Sequence, residues 1–465
     1  MMFAVATTGI TNWQALGRFL LLRDYNTRIV VTGAILLGIA AGLAGVFMLL
    51  RKRALIGDAL SHATLPGIAL AFMFATVLGG DSKSLPLLLT GAAATGLFGI
   101  LLVLALRHST RIKEDSAMGI ILSVFFGLGI ALLGIAQRME QGHSAGLESF
   151  IYGKTASMVA SDAAMIAGVA LFASILSMLL YKEFRLLCFD QAYAKTQGWP
   201  VMLLDILLMA MVTLVTVIGL QAVGLVLVIA LLVIPAAAAR FWTQRLWKML
   251  LISALCGAIS CYIGTLASAL LPNFPAGAMI VLSASLVFAV SMAFGPANGV
   301  FHRIRIHREL QRKTARQNVL RAIFEIIEPT LPAAAETAHI PHVTFAEMLG
   351  KRTWSPAHLR RLLHGCIREG LVVRISQDQY RPTLEGLTEA RHVARQHRLW
   401  ELYLITHADV ATNHVDRSAD MIEHIIGTEM AAELEGLLEA QAPPVIASPH
   451  RINHPEEGGG HVAHA

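Results

Sequence analysis

Charge is what this sequence has least of. Only 15% of its 465 residues are Asp, Glu, Lys or Arg and 55% are hydrophobic, whereas a soluble globular chain carries about 25% charged residues. That balance excludes a single water-soluble domain. The scarcity is also uneven: from about residue 28 to 295 the chain is a train of apolar runs of roughly bilayer-spanning length, and after Phe301 it turns charged and histidine-rich with no such run. Cysteine is scarce too. Cys188, Cys256, Cys261 and Cys366 form no CxxC or other metal-ligand spacing, which argues for reduced, structural thiols. Met1 to Ile10 lacks the basic stretch and cleavage site of a signal peptide, so residues 13–27 read as an interfacial lead-in. Nucleotide-binding motifs are missing as well. Gly153-Lys154-Thr155 looks like the end of a phosphate-binding loop, but Glu148 stands where its first glycine is needed.

What is there, first, is a series of about nine candidate spans, at 29–50, 55–79, 85–106, 117–137, 158–181, 201–220, 222–239, 249–271 and 276–296. Every odd-numbered span ends in positive charge: Arg51-Lys52-Arg53, then Arg107, Arg111 and Lys113, then Lys182, Arg185 and Lys195, then Arg240, Arg245 and Lys248. A dense basic stretch follows the ninth. Residues 79–83 and 272–277 hold one lysine between them, and the tight turn expected at 220–222 holds none; the loop after the fourth span mixes Arg138 and Lys154 with Glu140 and Glu148. By the positive-inside rule the N-terminus is expected outside and everything after 297 in the cytoplasm.

The most informative stretch runs from Arg51 to Gly67. Asp58 and His62 are four apart, so a helix places them on one face, one turn from each other. A carboxylate and an imidazole together suit a borderline divalent ion such as Mn²⁺, Fe²⁺ or Zn²⁺, and ionisable groups inside a span usually face a bundle interior or an ion path. The plainer reading stays open, in which Asp58 caps the helix and His62 bonds a carbonyl. Asp162 and Asp205, near the starts of the fifth and sixth spans, divide in the same way between ion path and interfacial solvation.

The run Gly57-Asp-Ala-Leu-Ser-His-Ala-Thr-Leu-Pro-Gly67 closely resembles the signature of the zinc/manganese/iron class of ABC importer permeases. Val223-Gly-Leu through Ile234-Pro235 and on to Arg240 is similar to that family's late apolar segment, and Phe189-Asp190-Gln-Ala192 through Gly198 resembles its cytoplasmic coupling segment. The resemblance covers about 20–296. It implies an all-α polytopic domain in the bacterial cytoplasmic (inner) membrane, with Asp58 and His62 on the ion path. It also implies an ATP-binding cassette ATPase gripping 183–200 through Asp190, Ala192 and Gly198, so that ATP enters only through that partner. A second permease, the same or related, and an extracytoplasmic metal-binding protein would complete the assembly.

The remainder divides differently. Residues 297–321 carry seven basic residues against Glu309 and read as a solvated linker helix, or as a contact for anionic lipid or nucleic acid. A short helix is expected at Asn318–Glu328. From Thr344 the order is helix (345–350), turn, helix (to Glu369) and hairpin (371–375 with 379–383), with Ser355 as N-cap and Pro356 at N1: a winged helix-turn-helix order. Ser355, His358, Arg360 and Arg361 are placed to meet DNA by the logic of a recognition helix; a winged helix used only for protein contacts is equally open.

Beyond it, His397 and Glu401 are four apart, and Asp420, Glu423 and His424 cluster at helical spacing, two sets of N and O donors on single faces. Together with the runs Glu369-Gly-Leu-Val, Leu384-x-Gly386, Arg395-Gln-His397 through Glu401, Asp420-x-x-Glu423-His424 and Pro449-His450, this layout resembles the iron- and manganese-dependent repressors related to diphtheria toxin repressor, over about 316–454. Two departures stand out. Asp420 falls where family members have Cys or Glu, and Asn318 and Arg321 fall where manganese-sensing members place carboxylates. The expected partition is an interfacial segment 1–27, permease 28–296, basic linker 297–321, winged helix 322–385, helical metal-binding and dimerisation domain 386–442, and a histidine-bearing tail 443–465 with His450, His454, His461 and His464. Three roles follow for the second half: metal sensor or DNA-binding domain, membrane-tethered repressor, or metal-responsive gate on the permease. Manganese or iron is expected over zinc.

Overall fold

The computed structural model describes residues 25–53, 56–78, 84–139, 153, 155, 158–271, 274–331 and 340–407. The interfacial segment before residue 25, the acidic residues Glu140 and Glu148, and everything after 407 lie outside them.

The apolar runs fold as helices: α1 (Tyr25–Leu50), α2 (Ile56–Val77), α3 (Leu85–Ser109), α4 (Glu114–Arg138), α5 (Ala160–Leu179), α6 (Tyr181–Phe189), α7 (Gln191–Thr196), α8 (Val201–Val223), α9 (Leu225–Trp242), α10 (Leu246–Leu270) and α11 (Ala276–Phe294). Among the described residues eight helices are long and apolar enough to cross a membrane. The expected seventh span is α9, apolar and only 18 residues long. The break between α8 and α9 falls at Gly224 rather than at 220–222. Its backbone takes φ 88° and ψ 168°, a region essentially reserved for glycine, so α8 runs on until it reaches that residue.

In a bilayer, helices gain little by hiding apolar surface from one another and associate through close packing and interhelical hydrogen bonds. This chain does both. The Ser253 hydroxyl of α10 donates to the Gly42 carbonyl of α1 at 2.7 Å, and Ser283 of α11 donates to the Ser260 carbonyl of α10 at 2.7 Å. Helix α2 packs on α3 and α4. Where α2 meets α3, a Cβ on Gly67 would lie 2.1 Å from the Gly91 carbonyl oxygen, so the glycine closing the signature run is what lets α2 sit so close.

The chain divides into two compact units at residues 304 and 305. Here the expected linker helix and the short helix after it are one uninterrupted helix, α12 (Val300–Ile327). Nothing between those residues is Gly or Pro, and Arg, Lys and Gln are good helix formers. Its early residues are exposed and its end, from Val319, is buried in the second unit. Arg316, assigned by charge to the linker, instead bridges Glu369 (2.9 Å) and Glu389 (2.7 Å).

The second unit continues with β1 (Val343–Thr344), α13 (Phe345–Lys351), α14 (Pro356–Arg368), β2 (Val372–Arg374), β3 (Gln379–Pro382) and α15 (Leu384–His407). The three strands form an antiparallel sheet in the order β1-β3-β2, with Val343 opposite Tyr380 and Val373 opposite Arg381. A capping box of Thr344 and Glu347 starts α13, and Ser355 caps α14 by accepting from the His358 N–H. Val319, Ile323 and Ile327 of α12 pack with Met348, Leu359, Leu363 and Ala390 into one core. Cys366 belongs to it, its thiol pushed up to about 11 by burial, as suits a structural thiol; all four cysteines are free.

Candidate metal path and coupling segment

Asp58 and His62 lie in the first two turns of α2. They meet: His62 Nε2 is 3.3 Å from Asp58 Oδ1, with 16% and 36% of the side chains exposed. Phe126 of α4 packs edge-to-face against the imidazole, centroids 4.7 Å apart. The other ring nitrogen, His62 Nδ1, is buried with no hydrogen-bond partner, a costly state for a polar atom and a natural one for a ligand nitrogen. Pro66 sits inside the helix four residues on and has no N–H for the His62 carbonyl. The site thus offers one carboxylate, one imidazole and one backbone oxygen whose i+4 donor is missing. Among the described residues no group of three His, Cys, Asp or Glu side chains gathers at one point.

Asp162 and Asp205, the other ionisable residues expected in spans, are both engaged. Asp162 accepts from the Val159 N–H (3.2 Å) and from the Gln221 amide (3.2 Å). Asp205 is buried and accepts from Arg53 at 2.7 Å and from Arg51 at 3.1 Å. Arg51 and Arg53 of the basic triplet after α1 form one cluster with the isolated acid in α8, a pairing their distance in sequence hides.

The expected coupling segment folds as α6 and α7. Asp190 caps α7, its carboxylate accepting from the Tyr193 N–H at 2.9 Å. Ala192 is exposed, Ala194 is buried, and Gly198 (φ 77°) ends the turn with the Trp199 N–H bonding the Ala194 carbonyl at 3.1 Å. Phe189, Tyr193 and Trp199 project around these residues, each more than 40% exposed. Sequence reasoning passed over them, although aromatic residues spaced along a polar segment were the available signal. Cys188, at the end of α6, has its thiol pushed up to about 12, chiefly by burial.

In the second unit Arg360 and Arg361 of α14 line a cleft of about 530 Å³ together with His364, Arg374, Gln377 and Tyr380. Ser355 is occupied as a helix cap, and His358 is exposed beside it. His397 is buried on α15, and its Nδ1 lies 2.7 Å from Arg321 of α12, which also holds Glu325 at 2.7 Å. Next to it Arg398 bonds both oxygens of Glu328 (2.7 and 2.5 Å). Nothing is described of the Glu401 side chain, and Asp420, Glu423 and His424 lie outside the described residues. A cation would meet at His397 Nδ1 a guanidinium, so the described part of this cluster does not fit an ion at that nitrogen.

Residues 23–295 match the ABC 3 transport family, and residues 383–443 match the iron dependent repressor, metal binding and dimerisation domain. The manganese transport system membrane protein MntC of Bacillus subtilis is 39% identical over 400 residues, which are 86% of this chain and 88% of that protein. The zinc transport system membrane protein TroC of Treponema pallidum is 39% identical over 284 residues, 61% of this chain and 94% of that protein. Among solved structures, PsaBC from Streptococcus pneumoniae in complex with Fab matches at TM-score 0.52 and 33% identity, covering 60% of this chain and 96% of that one.

Proposed function

The chain belongs to the ABC 3 transport family, and from that premise we propose that it is the permease subunit of an ATP-driven importer of divalent transition-metal ions. It is a multi-pass protein of the cytoplasmic membrane and not itself an enzyme; ATP hydrolysis falls to a separate ATPase subunit docked on 183–200. An extracytoplasmic metal-binding protein delivers the ion and a second permease completes the pathway. The basic ends of the odd-numbered spans support an N-terminus outside and a second unit in the cytoplasm. Asp58, at 36% exposed within one chain, has room for ligands from that second permease.

The observation that carries the reading is the Asp58–His62 pair, a carboxylate and an imidazole in contact inside a span with one buried ring nitrogen unpartnered. Manganese is the favoured cargo, supported by the length of the match to the manganese transport protein and by the repressor-like domain; iron and zinc use the same donors. Uptake of radiolabelled Mn²⁺ and Zn²⁺ with the partner subunits present tests it. Asp58→Ala with His62→Ala is expected to abolish uptake, and unchanged uptake would sink the proposal.

For the second unit, the basic cleft between α14 and the β2–β3 hairpin supports a winged helix that binds DNA, with Arg360 and Arg361 on phosphates. Metal sensing there rests on Glu401, Asp420, Glu423 and His424, with His397 contributing at most its Nε2. Tethered repression and metal-gated transport separate experimentally. A gate leaves DNA unbound, and deleting the unit would make uptake insensitive to cytoplasmic metal.

A further inference from the structure

Asp205 is a carboxylate with 6% of its side chain exposed, held within an apolar helix. An ionised acid in that setting must find counter-charge, and it finds two. Arg53 reaches it at 2.7 Å and Arg51 at 3.1 Å. The same Arg51 guanidinium turns its other nitrogen to the Leu187 carbonyl at 3.0 Å and the Gln191 side-chain oxygen at 3.5 Å. One residue therefore bridges the end of α6, the first residue of α7 and the start of α8.

The connection runs on in the opposite direction. The Arg53 carbonyl accepts from the Ile56 N–H at 3.0 Å, so the residue that grips Asp205 also begins α2, five positions before Asp58. Lys52, between the two arginines, has φ 58°, the only positive value at a non-glycine among the described residues. Side chains two apart on an extended chain share a side, and the left-handed Lys52 folds this short loop back on itself while both guanidinia reach one carboxylate. A lysine held in that conformation is strain that persists only where the surroundings enforce it.

We propose that Arg51, Arg53 and Asp205 are the mechanical link between the coupling segment and the metal-binding helix. They are positioning residues. A displacement of α6 and α7 is passed through the Arg51 fork to Asp205, and through Arg53 to the first turn of α2, where Asp58 and His62 lie. Apolar packing can slide; a buried carboxylate shared by two guanidinia cannot shift without leaving a charge uncovered. The proposal rests on the reading that 183–200 docks an ATPase and that Asp58 and His62 hold the ion.

The test reconstitutes the full chain with its partner subunits in liposomes and measures Mn²⁺ uptake and ATP hydrolysis on the same preparation. Asp205→Asn and Arg51→Lys are expected to lower the ratio of Mn²⁺ taken up to ATP hydrolysed by at least about fivefold, the low end of ordinary coupling between sites. Arg51→Lys keeps the buried charge but loses the fork, so it carries the test if Asp205→Asn fails to fold. Lys52→Gly, which relieves the turn and leaves the guanidinia in place, should keep the wild-type ratio. A ratio unchanged in Arg51→Lys, or uptake and hydrolysis falling together in both variants, would overturn the link and leave only a structural ion cluster. A different failure marks the premise: if Asp58→Ala transports normally, the ion-path reading falls and takes the link with it.

Discussion

The guanidinium of Arg321 lies 2.7 Å from Nδ1 of His397, both side chains buried. An arginine only donates, so the imidazole spends that nitrogen's lone pair on a fixed cation of the protein. The resemblance to manganese-sensing repressors puts a carboxylate at position 321 and a metal ion beside the histidine; this chain supplies the positive charge itself. Arg321→Glu is therefore expected to raise the affinity of the second unit for Mn²⁺ by about 10–100-fold, the range over which groups around a ligand tune metal sites. Calorimetric titration of the full chain carrying Asp58→Ala and His62→Ala isolates that signal. Arg321→Met should instead cost about 1–3 kcal/mol of stability by removing the buried bonds to the ring nitrogen and to Glu325, read as a lowered unfolding midpoint.

Phe126 fixes the plane of the His62 ring from a neighbouring helix. Aromatic pairs of this kind contribute about 0.5–1.5 kcal/mol beyond their burial, so Phe126→Ala should weaken apparent Mn²⁺ affinity by about two- to tenfold with little change in the maximal uptake rate. Initial rates across a range of Mn²⁺ concentrations make the distinction. An effect on maximal rate alone would mean that Phe126 does not orient His62 for binding.

Much of the membrane unit is legible in the sequence because its signals are local. Apolar runs of bilayer length predict helices directly, and Asp58 and His62 share a face because four residues is about one turn. Asp205 was visible as an oddity but not as a partner of Arg51 and Arg53, because their pairing spans more than 150 positions and depends on how α1 and α8 pack. The domain boundary that the basic stretch suggests at 321 falls inside α12. Polarity decides which face is wet, whereas a helix ends where a breaker or a cap ends it, and none stands between 300 and 327. Arg321 shows the same limit inside a recognised fold. The departure from the family pattern was legible, but what the arginine does there needed the position of His397.

Gly67 and Gly91 bring the backbones of α2 and α3 together, with Gly91's carbonyl where a Gly67 side chain would begin. Backbone cannot yield as a flexible side chain does. Gly67→Ala is expected to cost about 1–3 kcal/mol through overpacking, and to move α2 with Asp58 and His62. Gly119 on α4 meets nothing within 4 Å, so Gly119→Ala should be close to neutral. Thermal unfolding of both purified variants in detergent tests the contrast, and equal melting would mean that the α2–α3 seam relaxes easily.

Arg360, Arg361 and Arg374 line one cleft beside α14, and their use on DNA has a signature that protein docking lacks. Each phosphate neutralised on duplex DNA releases condensed counterions, contributing about 0.9 to the slope of log affinity against log salt. With the full chain in nanodiscs and duplex DNA of mixed sequence, Arg360→Gln and Arg361→Gln should each reduce the magnitude of that slope by about 0.9. Tyr380, also in the cleft but buried in the core, should leave the slope unchanged when replaced by Phe, since it carries no charge to exchange. Affinity for DNA that is absent at low salt, or a slope that ignores both arginines, would assign the cleft to a protein partner.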